Sequence, residues 1–167
     1  MKGKFTGVGV GPGDPELLTL KALHAIQKSD VIAIPVSDST LEEPSEKADQ
    51  KYAGQCTAFQ IVKQVYPEIE NKELIFLPMP MIKDRKKLMQ IHDKDAEFTG
   101  EKLNQGKNVA FLTIGDPSIY STCMYVHKRV KRMGYETELI PGIPSFCAAA
   151  ARLDISLSEN RDELHII

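Results

Sequence analysis

The sequence predicts an α/β protein: a five-stranded, mostly parallel sheet with helices on both faces. Three observations carry this. Apolar runs of strand length alternate with segments that have the three- and four-residue apolar spacing of helices. Glycine- and proline-rich turns follow strands at three places, Gly11 to Asp14, Gly115 to Ser121 and Pro141 to Ser145, which places them along one edge of the sheet. The 167 residues, 42% hydrophobic and 26% charged, are enough for one domain with a proper core.

In chain order, residues 5–10 are apolar and glycine-spaced and read as a first strand, and Gly11-Pro12-Gly13-Asp14-Pro15 is its turn. Asp14 is a good helix N-cap and Pro15 suits a first helical position. Leu17, Leu20, Leu23 and Ile26, with Leu18 and Ala22, give the following helix a wide apolar face. Asp30 introduces Val31-Ile32-Ala33-Ile34, a buried second strand stopped by Pro35. Strand, helix and strand over this span form a right-handed βαβ unit. Residues 37–55 are polar and read as a long loop, of the kind that is functional or disordered. Ala58, Ile61, Val62 and Val65 mark a helix ended by Pro67. Leu74-Ile75-Phe76-Leu77 is a third strand, followed by Pro78-Met79-Pro80-Met81, and Leu88, Ile91, Phe98 and Leu103 support a long helix over residues 84–104. Residues 109–114 form a fourth strand. The polar run after it, closed by Gly134, is helix-compatible, with Pro117 and Ser118 suited to its first turn. Residues 137–140 are a short fifth strand, and Ser145 is expected to cap a helix over 146–153. Residues 1–155 thus read as an N-terminal α/β domain. Residues 156–167 read as a linker and the first strand of a second domain, Glu163 to Ile167 being strand-like.

Composition excludes several classes. A formal charge of −2 gives no reason to expect nucleic-acid binding, and no apolar run approaches the ~20 residues of a membrane span. Cys56, Cys123 and Cys147 show no CxxC spacing; they read as reduced thiols of a cytoplasmic protein, with no zinc site. The first strand begins almost at Met1, which leaves no room for a signal peptide. The first turn fails as a dinucleotide fingerprint: counted from Gly7 the sixth position is Pro12, and from Gly9 it is Asp14. No Gly-Lys-Ser/Thr makes it a P-loop. A turn of two glycines and two prolines around an aspartate is rigid and short of N–H donors, so it suits an uncharged or cationic ligand better than a phosphate. The histidines, His24, His92, His127 and His165, are not clustered and read as surface or packing residues. No pair of carboxylates has metal-ligand spacing. Lys83, Arg85, Lys86 and Lys87 make either a solvated helix face or a site for a polycarboxylate. Tyr120 is a packing residue or a catalytic candidate. So little acid–base machinery favours a reaction in which positioning is most of the catalysis, such as methyl transfer from a sulfonium to a carbon.

The turns also carry a resemblance. Residues 8–22, Val-Gly-Val-Gly-Pro-Gly-Asp-Pro-Glu-Leu-Leu-Thr-Leu-Lys-Ala, resemble the opening motif of the tetrapyrrole (corrin/porphyrin) methylases. Residues 115–122, Gly-Asp-Pro-Ser-Ile-Tyr-Ser-Thr, and 140–146, Ile-Pro-Gly-Ile-Pro-Ser-Phe, are similar to that family's next two motifs. Residues 30–37 and 77–81 look most like the branch that methylates C-20 of precorrin-2 or cobalt-precorrin-2 on the way to cobalamin (vitamin B12). The siroheme branch has a proposed catalytic Asp where Pro35 stands, which argues against that branch, and the Leu-Pro-Met-Pro-Met and Tyr-Ser-Thr details disfavour the family's rRNA and diphthine methyltransferases. A binding domain without catalysis is the alternative from another class. The resemblance implies a homodimeric enzyme of two α/β domains with S-adenosylmethionine in the cleft between them, so that the N-terminal domain alone is expected to be inactive. It implies cofactor contacts from Pro12, Gly115, Asp116, Ile119, Pro144 and Ser145. It also implies a tetrapyrrole facing Gly11, Gly13 and Ser37, and an eight-carboxylate substrate gives Lys83 and Arg85 a role at the rim.

Overall fold

The structure, a computed structural model, describes residues 1–167. Five strands, β1 (Lys4–Gly9), β2 (Val31–Val36), β3 (Glu73–Pro78), β4 (Val109–Thr113) and β5 (Glu136–Ile140), form one sheet in the order β3-β2-β4-β1-β5. Every neighbouring pair is parallel. The helices are α1 (Leu20–Lys28), α2 (Lys51–Gln55), α3 (Thr57–Val65), α4 (Arg85–Asn104), α5 (Cys123–Arg132) and α6 (Ser145–Leu153). Alternation along the strands divides the core in two. Val8, Ile32, Ile34, Phe76 and Leu112 face α1 and α3, while Phe5, Ala33, Ile75, Leu77 and Phe111 face α4 and α5.

The fold class, the strands and their parallel pairing follow the sequence; several local expectations need correction. Asp14 caps only a single 3-10 turn, Pro15–Leu17, by accepting from Glu16 N. The α-helix starts later, at Leu20, where Thr19 accepts from Ala22 N. Its buried face is therefore Ala22 and Ile26, and Leu20 stands 74% exposed. Pro35 does not stop β2, which runs on to Val36. Val36 O accepts from Met79 N on the β3 side. Backbone direction alternates along a strand, so the N–H that Pro35 lacks would point at β4, whose pairing with β2 has ended at Ala33.

The polar stretch after β2 is not featureless. Ser45 exchanges two backbone hydrogen bonds with Phe76 and so covers the outer edge of β3, and Lys102, buried on α4, pairs with both Glu46 and Glu73. Residues 51–55 form α2, whose Tyr52 and Ala53 are buried. On α4 the deepest positions are not the expected apolar ones. Leu88, Ile91 and Phe98 are half-buried, while His92, Asp95, Ala96, Thr99, Lys102 and Leu103 are buried. Ser145 opens α6 as its first residue but makes no capping bond; Pro144 holds the cap position. Residues 163–167 are exposed and irregular, since a strand exists only as part of a ladder and none adjoins them.

Candidate active site

The three glycine-bearing loops leave the carboxyl ends of β1, β4 and β5, which are adjacent in the sheet. From β1 the chain crosses to α1 on one face; from β4 it crosses to α5 on the other. The crevice between β1 and β4 is thus the point where the winding reverses, the usual ligand position in open α/β sheets.

Backbone contacts lock the loops together there. Gly11 and Gly115 form an isolated antiparallel bridge, with Gly115 N donating to Gly11 O at 2.8 Å and Gly11 N to Gly115 O at 3.3 Å. Both have positive φ, +82° and +66°, which side chains disfavour. A Cβ on Gly142 would lie 2.0 Å from Gly115 O, and one on Gly9 would lie 2.5 Å from it. Asp116 ties the third loop to the second: its Oδ2 accepts from Gly142 N at 3.0 Å. Its Oδ1 accepts from Ser118 N at 2.8 Å and from the Ser118 hydroxyl. Burial raises the Asp116 carboxyl, but these hydrogen bonds from Ser118 and Gly142 outweigh it and hold the group below the usual carboxylate range. Pro117 and Ser118 are part of this turn and not of α5, which begins only at Cys123.

Beside the loops lies a cleft of about 370 Å³. Pro35, Ser37, Cys56, Met79, Ile119 and Tyr120 are among its walls, and none of its lining residues is charged. Two helices begin at it, α3 after Cys56 and α5 after Thr122, neither with a side-chain cap at its N-cap residue. Such ends carry partial positive charge. Ser121 Oγ is 2.7 Å from Thr113 Oγ1 and accepts from Cys123 N at 3.2 Å, tying the end of β4 to the start of α5. Tyr120, just before it, has φ +49° and is 79% exposed.

The structure brings Gly11, Pro12, Gly115, Asp116, Ile119 and Pro144 to this one edge. Gly115 meets the third loop there: a Cβ on it would lie 3.8 Å from Pro144 Cα. Gly13, Ser37 and Ser145 are exposed around it. Lys83 and Arg85 are exposed at the start of α4, outside the cleft wall; Lys87 lines a separate cleft of about 240 Å³ with Glu42, Glu43 and Lys94. Cys56 and Thr57, which line the main cleft, were not legible in the sequence, because the α2–α3 junction has no turn signature. Burial pushes the Cys56 thiol up, away from the reactive thiolate.

The donor set has a definite character. Pro12 and Pro144 offer no N–H, Asp116 is spent on the loops, and glycine backbone leaves room for close approach. These features fit a ligand with an uncharged body and a cationic centre, as a sulfonium cofactor has, and do not make a phosphate cradle.

The chain also has known relatives in sequence and in fold. A family model for Tetrapyrrole (Corrin/Porphyrin) Methylases matches residues 4–167. The chain is 40% identical over 164 residues to the Probable cobalt-precorrin-2 C(20)-methyltransferase of Methanocaldococcus jannaschii, covering 98% of this chain and 63% of that protein. It is 27% identical over 167 residues to the Cobalt-precorrin-2 C(20)-methyltransferase of Salmonella typhimurium, covering 100% of this chain and 64% of that one. The chain thus spans less than two thirds of these relatives. A uroporphyrin-III C-methyltransferase from Thermus thermophilus, solved with S-adenosyl homocysteine, shares the fold at TM-score 0.54 and 22% identity, over 89% of this chain and 48% of that one.

Proposed function

The chain belongs to the tetrapyrrole (corrin/porphyrin) methylases, and from that premise we propose that the protein methylates C-20 of precorrin-2 or cobalt-precorrin-2 with S-adenosylmethionine, in cobalamin biosynthesis. The observation that carries this is the clamp of three loops at the winding reversal, Gly11 on Gly115 and Asp116 on Gly142, beside an uncharged cleft. The names of the relatives support the C-20 position.

In this reading Pro12, Gly115, Asp116, Ile119, Pro144 and Ser145 hold the cofactor, and Gly11, Gly13 and Ser37 face the tetrapyrrole. S-adenosylmethionine supplies, when bound, a methyl group already activated on a sulfonium. What remains for the chain is placement. The glycines let the loops sit backbone to backbone, Asp116 holds them in register, and the prolines stiffen the turns. Substrate carboxylates are drawn to the helix starts at Cys56 and Thr122, with Lys83 and Arg85 at the rim. In this reading residues 1–155 are the N-terminal domain of a protein of its relatives' length, which acts as a homodimer in the cytoplasm, and a domain carrying half of the cofactor site is inactive by itself.

The test is an assay of the protein at the full length of its relatives, with S-adenosylmethionine and each of precorrin-2 and cobalt-precorrin-2. A gain of one methyl group by mass spectrometry, placed at C-20 by NMR, is expected with at least one. Methylation at another ring position, or of neither compound, overturns the proposal.

A further inference from the structure

Tyr120 holds a backbone conformation that aromatic residues rarely adopt, and the chain fixes it from both sides. Before it, Asp116 binds Ser118 through backbone and hydroxyl, and Ile119 N donates to Asp116 O at 3.3 Å. After it, Ser121 is held by Thr113 and by Cys123 N. All this order serves a ring that is 79% exposed and whose hydroxyl bonds to nothing in the chain. A strained, well-anchored residue that packs against little of its own protein is a sign of function. The cleft it lines combines apolar Pro35, Met79, Met81, Ile114 and Ile119 with uncharged polar residues, Ser121 and Thr122 among them.

We infer that Tyr120 is a platform for the conjugated face of the tetrapyrrole, a substrate-positioning residue acting through its ring and not an acid or base acting through its hydroxyl. The inference rests on the methyltransferase reading of the cleft. A tetrapyrrole with eight carboxylates carries them around its periphery, so its face is the uncharged part that an uncharged, partly aromatic wall can seat. A rigid mount matters because methyl transfer needs the accepting carbon at a set height in line with the donor, and a mobile ring would not define that height. The exposed part of the residue is its ring, and comparing Phe with Ala separates what the ring does from what the hydroxyl does.

The experiment compares Tyr120→Phe, Tyr120→Ala and Tyr120→Gly in the full-length protein. The readouts are KM and kcat for the tetrapyrrole, its equilibrium binding followed by absorbance, and calorimetric titration with S-adenosylhomocysteine. The Phe variant is expected to stay within about twofold of the parent in every constant. The Ala variant is expected to bind cobalt-precorrin-2 or precorrin-2 about tenfold more weakly, with S-adenosylhomocysteine affinity held within about twofold. The Gly variant, which relieves the backbone, should lose tetrapyrrole affinity as Ala does while melting no lower than the parent. Unchanged tetrapyrrole binding by the Ala variant overturns the inference, as does a large fall in kcat with unchanged KM for Phe. If the parent binds neither tetrapyrrole, the methyltransferase reading itself falls; if the parent binds and only the variants fail to differ, that reading stands and the platform alone is lost.

Discussion

Asp95, on α4, is fully buried, and neither carboxylate oxygen has a hydrogen-bond partner; nor does either ring nitrogen of His92, 3.9 Å away. Burial pushes the Asp95 carboxyl up to about 6, against the pull of His92 and Arg129 and with the help of Glu43. In the unfolded chain the value is the ordinary 3.8. The folded state therefore holds the proton more tightly, and the ionised carboxylate costs stability. That cost is absent below 3.8, grows as the pH rises, and is complete above about 6. Asp95→Asn should remove this dependence and be the more stable protein at pH 7.5 by roughly 2–3 kcal/mol, with little difference at pH 4. Denaturant titration at the two pH values checks it; a variant less stable at pH 7.5 would mean that the carboxylate is partnered in solution. Asp116 is the opposite case, a carboxylate whose two oxygens both have hydrogen-bond partners in the chain. Asp116→Ala leaves Gly142 N and Ser118 unpaired and uncouples two loops. Affinity for S-adenosylhomocysteine should fall by about 1–3 kcal/mol in a calorimetric titration of the full-length protein. Unchanged affinity would show that the clamp is not needed to hold the cofactor loops.

The helices show where a sequence reading succeeds and where it slips. In the first βαβ unit, Asp14 and Thr19 are both good caps five residues apart, and the leucines between them fit either start. The chain takes the later one: Leu18 is extended, Thr19 accepts from Ala22 N, and the helix that follows buries Ala22 and Ile26. The first turn of α4 is informative in another way. Lys83, Arg85, Lys86 and Lys87 are exposed and none of them takes part in an ion pair. Positive charge at a helix N-terminus opposes the dipole, so the run does not serve the helix that carries it. Replacing all four with glutamine should leave the melting temperature unchanged or slightly higher. It should also raise KM for the tetrapyrrole, most at low salt, and leave the S-adenosylhomocysteine affinity alone. An unchanged KM would return the run to a solvated face, a reading that its place outside the main cleft wall also allows.

At the scale of the molecule, the site depends on three chain segments crossing closely at glycines, Gly9, Gly115 and Gly142. Gly142 shows this most sharply, because an added Cβ would stand 2.0 Å from Gly115 O and 2.8 Å from Gly9 C, backbone atoms that cannot rotate away. Gly13 is the control. It has φ +145°, but nothing lies within 4 Å of an added Cβ. Gly142→Ala should cost roughly 2–4 kcal/mol or prevent folding, and Gly13→Ala should cost clearly less, by thermal and denaturant unfolding. Equal effects would mean that the crossing is looser than the contacts imply.

The sequence by itself determined the α/β class, the five strands and the edge where the three glycine-bearing turns gather. Strand-length apolar runs such as Val31-Ile32-Ala33-Ile34 and the glycine and proline turns are local signals, and each needs only a few consecutive residues to act. The order of residues in the three turns likewise sufficed for the family. Tertiary structure alone decided how those turns use their residues. The resemblance gives Asp116 in sequence as a cofactor contact, and only the meeting of the β4 and β5 loops gives its second oxygen to Gly142 N. Thr113 and Ser121, eight residues apart, become one hydrogen-bonded pair because α5 starts at Cys123 and not at Pro117. Cys56 enters the cleft wall, and Asp95 enters the interior, through packing between elements distant in the chain. Contacts of that kind depend on the three-dimensional path of the backbone, which no local pattern of residue types encodes.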